Sequence, residues 1–151
     1  PNPPAAVRRG ISVLCAHSQA SAGQRQLCGG LLAAVGDTAW LSDEGLMDAV
    51  TAVSGSGPAY VFHLIECLAQ AGVAVGLAPD LSARLALQTV AGSGELARQS
   101  EDDAAQLRIN VTSPGGTTQA ALEILMAEGG LQSLLMAAVR AAEQRGRELG
   151  A

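Results

Sequence analysis

The stretch Arg108-Ile-Asn-Val-Thr-Ser-Pro-Gly-Gly-Thr-Thr118 holds the groups best placed to do chemistry. Gly115 and Gly116 lack a Cβ, so their peptide N–H groups can approach a ligand closely, and the hydroxyls of Ser113, Thr117 and Thr118 add donors. A helix is expected to begin immediately afterwards. The first turn of a helix leaves N–H groups unpaired and carries partial positive charge, which suits a carboxylate or a phosphate. The same residues would serve equally well as an elaborate helix cap with no ligand, since Ser, Thr and Gly are ordinary in front of helices. The run lacks the Lys of a phosphate-binding loop and is not expected to follow a strand, so a small carboxylate is favoured over a nucleoside triphosphate.

The remaining reactive side chains have plainer readings. His63 and Glu66, three apart on an expected helix, could form an acid–base pair, but a polar strip on a packed helix accounts for them better. Cys67 on the same helix is expected to behave as a small core side chain, and His17 to lie at the surface. Glu101-Asp102-Asp103 reads as a solvated helix start that complements the helix dipole. Cys15, Cys28 and Cys67 are odd in number and widely spaced, which signals neither a disulfide framework nor a zinc site, and no metal is expected.

The elements that must position these groups follow from composition and period. In 151 residues, 48% are hydrophobic but only 2% aromatic, so the apolar mass is Ala, Leu and Val, suited to close-packed helices. The net charge is −5, and all nine basic residues are Arg without a basic stripe, which disfavours nucleic acid as a partner. No run reaches the roughly 20 apolar residues that span a bilayer, and the N-terminus lacks a secretion pattern; a soluble, cytoplasmic protein is expected.

Residues 10–16 and 38–41 read as short strands flanking a helix at 19–35 that Gly36-Asp37 stops. From Leu46 onward the pattern is helical, with Ser54-Gly-Ser-Gly-Pro58 as a break and Pro58 starting the next helix. Helices are expected at about 58–75, 79–98, 101–108, 116–128 and 131–149. In the first of these, Val61, Phe62, Leu64, Ile65, Leu68 and Val73 occupy so much of the circumference that burial on nearly all sides is expected. Trp40 is placed at the boundary between the strand unit and the helices. The fold class is mainly α: a helical bundle after a short strand-helix-strand unit, with a composition change near residues 41–46.

Val53-Ser-Gly-Ser-Gly-Pro-Ala-Tyr60, followed about fifty residues later by Leu107-Arg-Ile-Asn-Val-Thr-Ser-Pro-Gly-Gly-Thr-Thr118, resembles the two signatures of the pyrroline-5-carboxylate reductase family. The opening Pro-Asn-x-Pro-Ala with Gly10 is similar to the segment that closes that family's nucleotide domain. The resemblance implies that residues 1–45 are the end of a truncated dinucleotide-binding Rossmann domain and 46–151 a helical dimerisation and substrate-binding domain. It implies an interlocked homodimer, often in a larger ring of dimers, and hydride transfer from NADPH or NADH to the C=N bond of 1-pyrroline-5-carboxylate, giving L-proline. Carried over by motif position, Ser113 with the N–H groups around Gly116 and Thr117 would hold the substrate carboxylate, and the Thr118 hydroxyl, the catalytic group, would bond the ring nitrogen. Glu101 would be an acidic group near that nitrogen. Asn110, Val111 and Pro58 would meet the nicotinamide end of the cofactor. No Gly-x-Gly-x-x-Gly turn follows a strand here, so the main cofactor site is expected outside this chain and the isolated chain is expected to be inactive. The alternatives are a catalytically silent helical oligomerisation module and the helical domain of another Rossmann-type dehydrogenase; the latter usually offers a Lys, which this sequence lacks.

Overall fold

The structure, a computed structural model, describes residues 1–150. It divides by packing into two units, Pro1–Tyr60 with Ala137–Ala151, and Val61–Met136. The composition change near residue 45 falls inside the first.

In the first unit a 3-10 turn at Pro3–Val7 leads into β1 (Gly10–Cys15), α1 (Ala22–Ala33) and β2 (Gly36–Leu41). The strands pair in parallel, from Gly10 opposite Gly36 to Cys15 opposite Leu41. Parallel neighbours need a crossover, and α1 supplies it. Gly36, at φ +151, starts β2 rather than ending α1: a Cβ there would run into the Gly10 carbonyl, so the strands can only begin this close if the residue is Gly. Helix α1 also starts later than its hydrophobic period suggests, because Ser21 and Gln24 form a capping box: the Ser21 hydroxyl accepts the Gln24 N–H at 3.3 Å, and the Gln24 side chain accepts the Ser21 N–H at 2.8 Å. Trp40 lies beside Gly29 of α1 and is 46% exposed.

The chain continues through a 3-10 turn at Glu44–Leu46, α2 (Met47–Val50) and a π-helical turn at Thr51–Gly55. After Ser56 comes α3 (Gly57–Ala74), whose first turn belongs to this unit. The C-terminal part of α7 (Leu131–Gly150) closes the unit at Gly146, where a Cβ would come within 2.7 Å of Asp48 Oδ1.

The second unit holds the rest of α3, α4 (Pro79–Gln99), α5 (Ala104–Asn110), α6 (Thr117–Leu125) and the start of α7. A close approach joins α3 to α4. The Ser82 hydroxyl donates to the Ala69 carbonyl at 2.6 Å, and Gly72 makes room for it, since a Cβ there would collide with the Ser82 Oγ. Gly92 and Gly94 do not interrupt α4, and nothing packs close to them.

Much of the apolar surface is open within one copy. Among the described residues the buried apolar side chains are Ala52 and Ala86, and the buried polar ones Ser12 and Ser82. Helix α3 is not buried within this chain: Phe62 is 60% exposed and Leu68 42%. Cys67 is likewise exposed rather than in a core. The apolar period of α3 reports a face to be covered, but no element of this chain covers it.

Candidate functional site

The first turn of α6 is organised by what precedes it. Gly115 takes the left-handed conformation at φ +71, and Gly116 is the N-cap in extended backbone, φ −82 and ψ 171, with no side chain to cap the helix. Two N–H groups of the loop are already committed. That of Gly116 donates to the Ser113 carbonyl at 3.0 Å, and that of Gly115 to Gln119 Oε1 at 2.7 Å, while Gln119 Nε2 donates onward to Glu123 Oε1 at 3.1 Å. The first helical bond runs from Ala120 N–H to the Gly116 carbonyl at 3.2 Å. The N–H groups of Thr117, Thr118 and Gln119 have no partner among the described residues. They converge, as at any helix start, on one anion-sized position. Thr118 is half-buried, and Ser113 and Thr117 are exposed. The tight turn that Gly116 closes uses its N–H internally, so the open donors around it are those of the next three residues.

Immediately upstream, Asp103 caps α5 by accepting the Gln106 N–H at 2.8 Å. Asn110 ends that helix with both side-chain atoms engaged: Nδ2 donates to Asp102 Oδ2 at 3.1 Å and Oδ1 accepts from Gln106 Nε2 at 2.8 Å. Val111 follows, exposed, and Glu101 is exposed in the turn between α4 and α5. Glu101, Asn110, Val111 and Ser113 through Thr118 therefore all belong to the second unit, strung along α5 and the turns on either side of it. Pro58 belongs to the first. Gln119 was not singled out in the sequence, where the four-residue step from Gly115 was the available signal, and Asp102, read there as part of a solvated helix start, instead accepts from Asn110.

The Ser-Gly-Ser-Gly-Pro segment is not a break. The helical path runs on through it in π register, with Ser56 N–H donating to the Thr51 carbonyl at 2.8 Å, and Pro58 lies half-buried in the first turn of α3. Around it, Ser54 Oγ donates to the Val50 carbonyl at 2.9 Å, Tyr60 OH to the Ala52 carbonyl at 3.1 Å, and Asn2 Nδ2 to the Ser54 carbonyl at 3.0 Å.

The other candidates sit on exposed helix surface. His63 Nδ1 lies 3.1 Å from Glu66 Oε2, and His63 Nε2 lies 3.5 Å from Cys67 Sγ. Among the described residues no group of three His, Cys, Asp or Glu side chains could hold a metal ion, and no helix is long and apolar enough to cross a membrane.

Comparison with known proteins places this geometry. The family model described as pyrroline-5-carboxylate reductase dimerisation matches residues 44–149. The pyrroline-5-carboxylate reductase of Pseudomonas aeruginosa is 49% identical over 149 residues, covering 99% of this chain and 54% of the relative; that of Synechocystis is 45% identical over 150 residues, covering 99% and 55%. The solved structure of a pyrroline-5-carboxylate reductase from Coxiella burnetii superposes with a TM-score of 0.94 at 40% identity, covering 99% of this chain and 55% of that one. The Plasmodium falciparum pyrroline carboxylate reductase, solved with NADP bound, gives a TM-score of 0.85 at 35% identity over 100% of this chain and 61% of that one. The chain spans about half the length of the curated relatives it matches.

Proposed function

The chain belongs to the pyrroline-5-carboxylate reductase family, in its dimerisation region, and we propose that it is the substrate-binding and dimerising part of a reductase that converts 1-pyrroline-5-carboxylate to L-proline. The observation that carries this reading is the uncapped first turn of α6, where three N–H groups remain open next to the Ser113 and Thr118 hydroxyls. In this reading the substrate carboxylate takes the N–H groups of Thr117 and Thr118 and the Ser113 hydroxyl, and the Thr118 hydroxyl meets the ring nitrogen. The Gly116 N–H contributes only by giving up its bond to Ser113. Glu101 is the acidic group near the imine nitrogen. A protonated imine is already electrophilic, so these residues act by placement and by charge rather than by forming a covalent intermediate.

A nicotinamide cofactor, NADPH or NADH, supplies the hydride when bound. The residues here fit only its nicotinamide end: Asn110, with an amide oriented by Asp102 and Gln106 yet exposed, Val111, and Pro58 in the first turn of α3. The diphosphate and adenosine portion is assigned to protein outside these 151 residues, and the chain alone is accordingly inactive. Residues 1–45 are the end of the dinucleotide-binding domain, a reading that the parallel β1–α1–β2 crossover supports, and residues 46–151 the helical domain.

The exposed helix faces support a homodimer in which a second copy covers them. A large apolar side chain gains about 1.5–3 kcal/mol on complete burial, so roughly ten half-exposed ones represent on the order of 10 kcal/mol, comparable with the whole stability of a domain. A larger ring of dimers and a cytoplasmic location belong to the same reading. The test is kinetic: in a full-length protein carrying this sequence, Ser113→Ala and Thr118→Ala should each lower kcat/KM for the pyrroline substrate tenfold to a hundredfold, about 1.5–3 kcal/mol for a hydrogen bond to a charged partner. Unchanged kinetics in both would reject the assignment.

A further inference from the structure

The turn before α3 loses two helical donors, and each is replaced by a side chain from elsewhere in the first unit. In an α-helix the Ser54 carbonyl would accept the N–H of residue 58, but residue 58 is Pro and has none. The Ala52 carbonyl would accept the N–H of Ser56, but that group reaches back five residues to Thr51, at 2.8 Å. Asn2 Nδ2 fills the first vacancy at 3.0 Å and Tyr60 OH the second at 3.1 Å. Asn2 is itself anchored twice on β1: its Oδ1 accepts the Ile11 N–H at 2.9 Å, and its own N–H donates to the Ile11 carbonyl at 3.2 Å. Ala52 is 1% exposed, so a carbonyl left unpaired there would have little water to turn to.

These bonds decide between two registers. If Ser56 N–H returned to Ala52, the turn would become α-helical, the Ala52 carbonyl would be paired without the Tyr60 hydroxyl, and the residues after the turn would rotate by about 100° and shift by about 1.5 Å relative to those before it. Pro58 stands immediately after that point. We propose that Asn2 and Tyr60 are positioning residues for hydride transfer: by holding the Ser54 and Ala52 carbonyls they lock the π-turn and fix where Pro58 stands. The proposal rests on the reading of Pro58 as a neighbour of the nicotinamide. Neither residue touches substrate or the reacting atoms; both act through the turn.

The experiment uses a full-length protein carrying this sequence, with Tyr60→Phe, which removes only the hydroxyl, and Asn2→Asp, which keeps an acceptor for Ile11 but no donor for Ser54. A displacement of about 1 Å at reacting atoms can cost a hundredfold, so a partial loosening should lower kcat about tenfold in each variant. KM for the pyrroline substrate should stay within twofold, and the primary isotope effect with deuterated nicotinamide should rise as the hydride step becomes limiting. Amide exchange at Ser56 should quicken at least tenfold. A lowered Tm with kcat and isotope effect unchanged would mean that the bonds only stabilise the fold, and would overturn the proposal, as would a rise in KM alone. If the unsubstituted protein reduces no pyrroline substrate, the reading of function has failed instead. Unchanged Ser56 exchange in both variants would then still overturn the lock.

Discussion

Two irregular segments of this chain are built from nearly the same residues and end with opposite hydrogen-bond accounts. Ser54-Gly-Ser-Gly-Pro58 and Ser113-Pro-Gly-Gly-Thr-Thr118 each precede a helix and each combine Ser, Gly and Pro. In the first, Pro58 follows the glycines and denies the Ser54 carbonyl its helical donor, the π register takes the Ser56 N–H from the Ala52 carbonyl, and the side chains of Asn2 and Tyr60 claim the two. In the second, Pro114 precedes the glycines, the chain turns sharply at Gly115, and Gly116 has no side chain with which to cap α6, so N–H groups are left open. The order of Pro and Gly therefore separates a segment that is closed by its own protein from one whose first-turn donors stay open.

The difference can be inverted by substitution. Thr117→Pro should have the largest effect: Pro is tolerated at the first helical position, and the extended Gly116 at ψ 171 suits a residue before Pro, so α6 should survive while one open donor disappears. In the full-length protein kcat/KM should fall tenfold to a hundredfold, about 1.5–3 kcal/mol, with Tm unchanged. An unaltered kcat/KM would show that the Thr117 N–H faces no substrate. In the closed segment, Asn2→Ala should destabilise by about 1–3 kcal/mol, because the Ser54 carbonyl and the Ile11 N–H both lose partners. Pro58→Ala supplies a new N–H for Ser54, so in that background the cost of Asn2→Ala should shrink by about 1 kcal/mol, read by urea unfolding at fixed protein concentration. Additive effects would mean that the two groups do not share the carbonyl. The smallest effect belongs to Gln119→Ala, which returns the exposed Gly115 N–H to water. Stability should change by no more than about 0.5 kcal/mol and kcat/KM by less than about threefold.

The helices of the second unit were legible from period and punctuation: Pro79 opens α4, Leu131 opens α7, and the loop at 113–116 ends where α6 begins. So was the irregular start of α6 at Gly116, since it needs only local residues. What escaped was the π-turn, whose register depends on Asn2, 52 residues from its acceptor, and on the hydroxyl of Tyr60, neither of which has a local pattern. The commitment of Gly116 N–H to Ser113 was missed for a related reason, because composition shows that a donor exists but not where the turn aims it. The apolar circumference of α3 was legible as a surface to be covered, and its exposure within one copy agrees with the expected dimer, although the period alone does not say which residues cover it.

The packing of Gly146 against Asp48 orders events in time. Because the first unit takes α7 from residue 137 onward, all of Val61–Met136 must leave the ribosome before the segment around α2 receives its last helix. At about 5–20 residues per second, the stretch between Tyr60 and Gly146 occupies roughly 4–17 s of synthesis, during which α2 and the π-turn wait with one side uncovered. The inserted unit is thus complete in the nascent chain before its host, and the early segment is the one that stands exposed to chaperones and proteases in the interval.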